Sequence, residues 1–248
     1  MTVPPDGDAV LSHGDEVLSH GDPVLTRTRA GRAVPAAVAT VAGCLLVLVL
    51  LGVGVRTDFG PQLRLDVVVS EALYAGDHRA AALTWLLDVL TAPGSSWFRF
   101  AVFLPVLVLL LRRRAWWTAA WLVTAIGLIG PLNTVLKHYF GRVRPDFAQG
   151  GARLHDLSFP SGHSSGIATL VTVALVMAWP LMAAPARHRA LAAGIVLVLL
   201  VGLTRMWLGV HFLSDVLGGW ALGVGWSLLT ALLFGALAEG RAALRPTP

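Results

Sequence analysis

An all-α, polytopic membrane bundle of about six transmembrane helices is the fold this sequence predicts, and three observations predict it. Of its 248 residues, 56% are hydrophobic and only 13% charged, against about a quarter charged in an average soluble domain. The apolar residues gather in runs of membrane-crossing length, about 20 residues for a helix. The arginines gather in the short breaks between those runs. A mean hydropathy of +0.71 fits the same class. The net charge of +5 could suit a nucleic-acid binder. Charge confined to inter-span breaks argues against nucleic acid as a partner.

Residues 1–33 are polar and carry a tandem seven-residue repeat, VLSHGDE then VLSHGDP. Two such units cannot bury a core, so this segment reads as a disordered tail. His13 and His20 then read as duplicated linker rather than metal ligands. A membrane domain is expected over 34–238, with a second short tail over 239–248. Val34 to Val55 exceeds the length of a signal-peptide core, so it is expected to stay as an anchor. The single cysteine, Cys44, lies inside it and reads as a small packing residue. Residues 56–96 mix charges with a shorter apolar piece, Ala80 to Leu90, that ends at Ala92-Pro93-Gly94. This region reads as interfacial or re-entrant helix, with Asp88 left unassigned. Further spans are expected at about 97–111, 116–136, 164–184, 190–208 and 216–237.

The breaks orient the bundle. Arg27, Arg29 and Arg32 precede the first span, and Arg112, Arg113 and Arg114 separate the second from the third. Arg187 and Arg189 separate the fourth from the fifth, and Arg241 and Arg245 follow the sixth. With six alternating spans all four clusters share one side, which the positive-inside rule makes cytoplasmic. The 137–163 connection and the 205–215 segment then face outward.

That outward side holds polar residues that need explaining. Lys137, the only lysine, opens the stretch KHYFGRVRP; the next span opens with SFPSGH, residues 158–163. The fifth span ends in TRMWLGVH, residues 204–211, and the sixth begins near Asp215. Each residue alone has an ordinary reading, as a snorkelling cation or a helix cap. The set is harder to dismiss. Lys137, Arg144 and Arg205 are cations where few are expected. Ser161, Gly162 and His163 place a hydroxyl, an unhindered N–H and an imidazole at a helix N-terminus, a natural anion site. His211 and Asp215 are spaced i,i+4, so on a helix they would share a face. A carboxylate there could hold one ring nitrogen and leave the other free as base or nucleophile. Cations with N–H donors suit a phosphate of about −1.5 to −2 charges.

These three stretches resemble the type-2 phosphatidic acid phosphatase superfamily, which includes lipid phosphate phosphatases, soluble acid phosphatases and vanadium haloperoxidases. The family pattern KxxxxxxRP, PSGH and SRxxxxxHxxxD is met from Lys137 to Pro145, Pro160 to His163, and Thr204 to Asp215. Thr204 departs from the usual serine but keeps a hydroxyl. The resemblance implies that Lys137, Arg144 and Arg205 hold phosphate oxygens, with Ser161 and the Gly162 N–H completing the cradle. It implies that His211 attacks phosphorus, that Asp215 orients it, and that His163 protonates the leaving oxygen. No cofactor or metal is implied, since fixed cations replace the electrostatic work of a Mg²⁺. The implied protein is integral to the plasma membrane, with its active site at the extracytoplasmic interface and a lipid phosphate in the bilayer as substrate. Undecaprenyl pyrophosphate or a similar polyprenyl carrier leads, followed by phosphatidic acid and phosphatidylglycerol phosphate. A vanadate-dependent haloperoxidase and a non-catalytic lipid or ion carrier are the competing classes.

Neighbouring residues have plainer readings. His138 and Arg142 lie outside the motif's fixed positions; Arg142 could touch substrate, but it reads first as a solvated interface residue. Trp97, Trp116, Trp117 and Trp207 read as an aromatic belt. Gly219 and Gly223 form a GxxxG that reads as close helix packing.

Overall fold

The protein is described by a computed structural model covering residues 23–76, 78–147, 156–237 and 240–244, with backbone alone for 23–32. Eight α-helices make up this part of the chain. They are α1 (Pro23–Arg56), α2 (Gly60–Leu73), α3 (Ala81–Thr91), α4 (Ser96–Arg112), α5 (Trp116–Phe140), α6 (Gly162–Ala178), α7 (Ala184–Trp207) and α8 (Leu213–Phe234). No strand occurs among the described residues.

Five helical stretches are long and apolar enough to cross a membrane: 33–56 in α1, α5, 162–181 from α6 onward, α7 and α8. Helices α3 and α4 meet at a 47° bend around a 3₁₀ turn at Ala92–Gly94, and the bent pair makes a sixth crossing if it is one span. The bend fits either a broken span or a re-entrant pair. The outward surface is apolar: Leu46, Leu50, Leu104, Val196 and Leu233 are all exposed. In water such a surface would be a binding patch or a liability; along spanning helices it is the face that meets acyl chains. Trp97, Trp116 and Trp117 are exposed at span ends, consistent with a belt.

Two boundaries differ from the sequence reading. Helix α1 begins at Pro23, so residues 23–33 are helical rather than disordered; a helix already nucleated in the span propagates at little cost through its flank. The repeat and the rest of the first tail lie outside the described residues, as do 238–239 and 245–248. Arg187 and Arg189 lie within the first turns of α7, not in a loop. Pro185 there suits a helix start, where its missing N–H is no loss. His211 precedes α8 and is not on it, in the segment between the last two spans.

The apolar core lies between α4, α5, α6 and α7, through Phe103, Trp121, Leu122, Ile126, Ile167 and Val173. Closer contact is made by glycines. A β-carbon at Gly219 would sit 2.6 Å from the Ser161 carbonyl oxygen, and one at Gly223 would run into that of Ser165. The GxxxG of α8 therefore brings its backbone onto α6, as expected of small residues in membrane helices. Cys44 packs on α8 opposite Gly225. The C-terminal segment folds under the start of α5, where Thr118 donates to the Ala242 carbonyl at 2.9 Å.

Orientation is open to direct test. Cysteines placed at the exposed positions Val143 and Arg113, in a Cys44→Ser background, lie at opposite ends of α5. An impermeant thiol reagent applied to intact cells should label position 143 and spare 113. The reverse pattern would overturn the assignment of the arginine clusters to the cytoplasm.

Candidate active site

At the end of the bundle remote from the arginine clusters, polar residues are buried where apolar ones would be expected. Helix α5 ends at Gly141, whose left-handed conformation (φ 66°) terminates the helix with its N–H on the Lys137 carbonyl. Lys137 sits in that last turn, one turn after the buried Asn133. Asn133 donates to the Pro160 carbonyl at 3.3 Å and to Ser165 Oγ at 3.2 Å, so α5 pins the turn that starts α6. Ser161 caps α6, and its Oγ accepts from Ser164 N–H at 3.4 Å and Ser164 Oγ–H at 3.1 Å. Gly162 and His163 are then the first residues of α6, where backbone N–H groups have no partner within the helix.

Helix α7 delivers Arg205 in its final turn. Arg205 is buried, donates to Thr91 Oγ1 at 3.3 Å, and has no partner for its Nε–H. A buried guanidinium with an unused donor is costly unless an anion completes it. Thr204 spends its hydroxyl inside α7, on the Val201 carbonyl at 2.6 Å, so its departure from serine does not reach the site. Gly209 turns the chain out of α7 at φ 72°, and a β-carbon there would strike the Tyr74 ring. Tyr74 stacks on Phe147 at 4.7 Å, and Ala75 N–H bonds the Trp207 carbonyl. The connection after α2 is thereby docked over the site.

His211 follows, almost fully buried. Its Nδ1 lies 3.3 Å from Asp215 Oδ2 and its Nε2 lies 3.1 Å from Arg144 Nη1. Arginine can only donate, so Nε2 is the acceptor and Nδ1 carries the proton toward Asp215. Burial pushes the ring down to about 3, against the raising effect of the Asp215 hydrogen bond and charge. The free imidazole is therefore neutral at ordinary pH, with its unprotonated nitrogen facing a cation. Asp215 lies at the third residue of α8, where its Oδ2 accepts Phe212 N–H at 2.9 Å and also Ser158 Oγ–H. The i,i+4 pairing thus works across a helix start rather than along a helix face. His163 lies within electrostatic reach of Arg205, His211, Arg144 and Lys137.

The structure therefore brings together Lys137, Arg144, His163, Arg205, His211 and Asp215. Ser161 stands beside them with its hydroxyl already engaged in capping. Gly162 is the first residue of α6, beside that cap, where backbone N–H groups point out of the helix end.

Several residues of the site were not singled out in the sequence. Asp156 bridges two cations, 2.7 Å from Lys137 Nζ and 2.7 Å from Arg144 Nη2. Burial alone would raise its carboxyl, but the Lys137 hydrogen bond and charge, with Arg144, leave it below the usual range. A carboxylate thus sits on the two cations that the resemblance gives to phosphate oxygens. Arg142 is a correction. It is not solvated but held in a buried double ion pair, Nη2 to Asp66 Oδ2 at 2.6 Å and Nη1 to Asp215 Oδ1 at 2.9 Å. Asn133 offered a signal, as an amide in an apolar span one turn from Lys137. Asp66 offered none beyond being a carboxylate in a mixed segment. His138 faces outward and contacts the Thr134 carbonyl of its own helix. Asp88 is exposed on α3, within electrostatic reach of Arg205. Among the described residues no group of three or more His, Cys, Asp or Glu side chains is placed to hold a metal ion.

Fold and site together define a multi-pass helical membrane protein with a cluster of cations and histidines at one end of the bundle. The chain belongs to the PAP2 superfamily, whose profile matches residues 118–238. It is 36% identical over 148 residues to phosphatidylglycerophosphatase B of Bacillus subtilis, covering 56% of this chain and 71% of that protein. It is 35% identical over 127 residues to a lipid A 1-phosphatase of Rhizobium johnstonii, covering 48% of each. Among solved structures it resembles a transmembrane PAP2-type phosphatidylglycerolphosphate phosphatase from Bacillus subtilis. That match has a TM-score of 0.65 and 28% identity, and covers 81% of this chain and 98% of the other.

Proposed function

We propose that this protein hydrolyses the terminal phosphate of a membrane lipid through a phosphohistidine, at the extracytoplasmic face of the plasma membrane. The observation that carries this reading is the ring of His211, held between Asp215 and Arg144 with Nε2 unprotonated. In the first step Nε2 attacks phosphorus while the bond to the lipid oxygen breaks. The electron pair leaves on that oxygen, and His163 gives it a proton. Asp215 stabilises the positive ring that results. In the second step His163 takes a proton from water as water attacks phosphorus, and phosphate leaves with His211 neutral again. Lys137, Arg144 and Arg205, with the Gly162 N–H, hold the phosphoryl oxygens as charge shifts. Asp156 must give up its two cations for this to happen.

The family's relatives supply candidate substrates. Phosphatidylglycerol phosphate is favoured by the name of the relative matched over 71% of its length. A polyprenyl pyrophosphate such as undecaprenyl pyrophosphate fits an outward-facing site equally well on chemistry. A phosphate-release panel over both lipids and phosphatidic acid, in detergent with EDTA, chooses between them. Activity should survive EDTA, because fixed cations carry the charge, and vanadate should inhibit by adopting the five-coordinate geometry of the transition state. Complete loss on chelation with recovery in Mg²⁺ would sink the metal-free mechanism. Halide oxidation in added vanadate without phosphatase turnover would point to a haloperoxidase, and phosphate binding without release to a carrier.

A further inference from the structure

We propose that Asp66, on α2, is a positioning residue for this site, fixing Asp215 through Arg142 and thereby the ring of His211. The inference rests on the phosphatase reading above and extends it to a helix outside the matched family region. Helix α2 lies outside the candidate spans, yet Asp66 is 1% exposed. A carboxylate that deeply buried persists only when fully partnered.

Its partners are all on the site. Oδ1 accepts Ser214 N–H at 2.8 Å, and Oδ2 accepts Ser214 Oγ–H at 2.6 Å and Arg142 Nη2–H at 2.6 Å. The residue at the N-cap of α8 is Phe212, which has no side-chain acceptor. The orphan N–H at Ser214 is satisfied instead by a carboxylate from another helix, so Asp66 caps α8 from outside. The second half of the arrangement is Arg142. Its guanidinium lies 4.1 Å over the Phe212 ring, donates to Ser214 Oγ at 2.7 Å, and reaches both carboxylates.

Charge gives this geometry a consequence. Paired with Asp215 alone, Arg142 would cancel the negative charge that His211 needs opposite its Nδ1–H. Asp66 shares the cation, so Asp215 keeps a net negative field toward the ring while its Oδ1 stays anchored. The group that turns positive in the reaction is the ring, so the effect belongs to the transition state and to the phosphoenzyme, not to phosphate binding.

The test is a double-mutant cycle on the full-length protein in detergent. Asp66→Asn is expected to lower kcat for the lipid phosphate about 10–100-fold, the usual loss when a group orienting a reacting side chain is removed. Inhibition by inorganic phosphate should not weaken, because the cradle cations are untouched. In an Asp215→Asn background the same change should cost little further, since its route of action is already gone. Arg142→Lys, which keeps the charge but loses the two-sided fork, provides a second cycle if Asp66→Asn does not fold. Losses that simply multiply in the double mutant, or weaker phosphate inhibition alongside lower kcat, would mean a merely structural role and overturn the proposal. An active wild type with an unaffected Asp66→Asn overturns the proposal alone. A wild type that releases no phosphate from any lipid overturns the phosphatase reading, and the proposal with it.

Discussion

Replacing His211 with alanine is expected to leave no measurable turnover on any phosphate substrate, whatever its leaving group. In the proposed mechanism the reason is covalent: without Nε2 no phosphoenzyme would form, and water would have no activated route to phosphorus. Alanine also leaves Arg144 and Asp215 without the ring between them, so folding must be checked by thermal melting and by retained binding of inorganic phosphate. The wild-type pH profile carries a second signature. Because burial holds the free ring near 3, the protonated, inactive form accumulates only as pH falls toward that value. A limb of kcat/KM near 6 then belongs to the substrate phosphate, whose second pKa is about 6, and should persist in the Asp156→Asn variant. Turnover by His211→Ala on p-nitrophenyl phosphate at wild-type rates would remove this residue from the nucleophile's role.

Replacing His163 with alanine is expected to divide substrates instead. A lipid alkoxide is a poor leaving group and needs a proton, which the proposed mechanism assigns to His163; general acid catalysis is worth about 10²–10⁴-fold. p-Nitrophenolate leaves readily without one, so the loss should shrink on that substrate. Asp215→Asn should fall between the two histidine variants on both substrates, since the hydrogen bond can persist while the charge opposite the ring is lost. The measurement is kcat/KM for the three variants on a lipid phosphate and on p-nitrophenyl phosphate. Equal losses on both substrates for His163→Ala would take the general-acid role away from it.

The sequence made the spans and one half of the site legible, for different physical reasons. Spans are local: apolar length and arginine breaks are read within a window, and α5 and α8 begin close to where those signals put them. Lys137, Arg144, Arg205, His211 and Asp215 were legible because their spacing is fixed within short segments. What supports them was not, because support comes from distant segments. Asp66 is 148 residues from Ser214, and nothing in either stretch announces the other. Arg142 looked solvated because an arginine at a span end usually is; its burial follows from two carboxylates arriving from α2 and α8. The i,i+4 spacing of His211 and Asp215 would put them on one face of a helix, yet the same reach is achieved across the first turn of α8. Asp156 was invisible for another reason, as an anion on a face read as a place for anions to bind.

The glycines that join α6 to its neighbours also hold its first turn in place. Gly94 lies against the His163 carbonyl, and Gly219 against that of Ser161. Both contacts are main chain to main chain, with no rotamer to relax. Lipid tails are as apolar as leucine, so helices in a bilayer gain little from hiding apolar surface and depend on such close fit. The same few ångströms therefore serve as the mortar of the bundle and as the frame of the turn that carries His163. A side chain added at either glycine would have to push main chain aside, and would loosen the wall and shift that turn together.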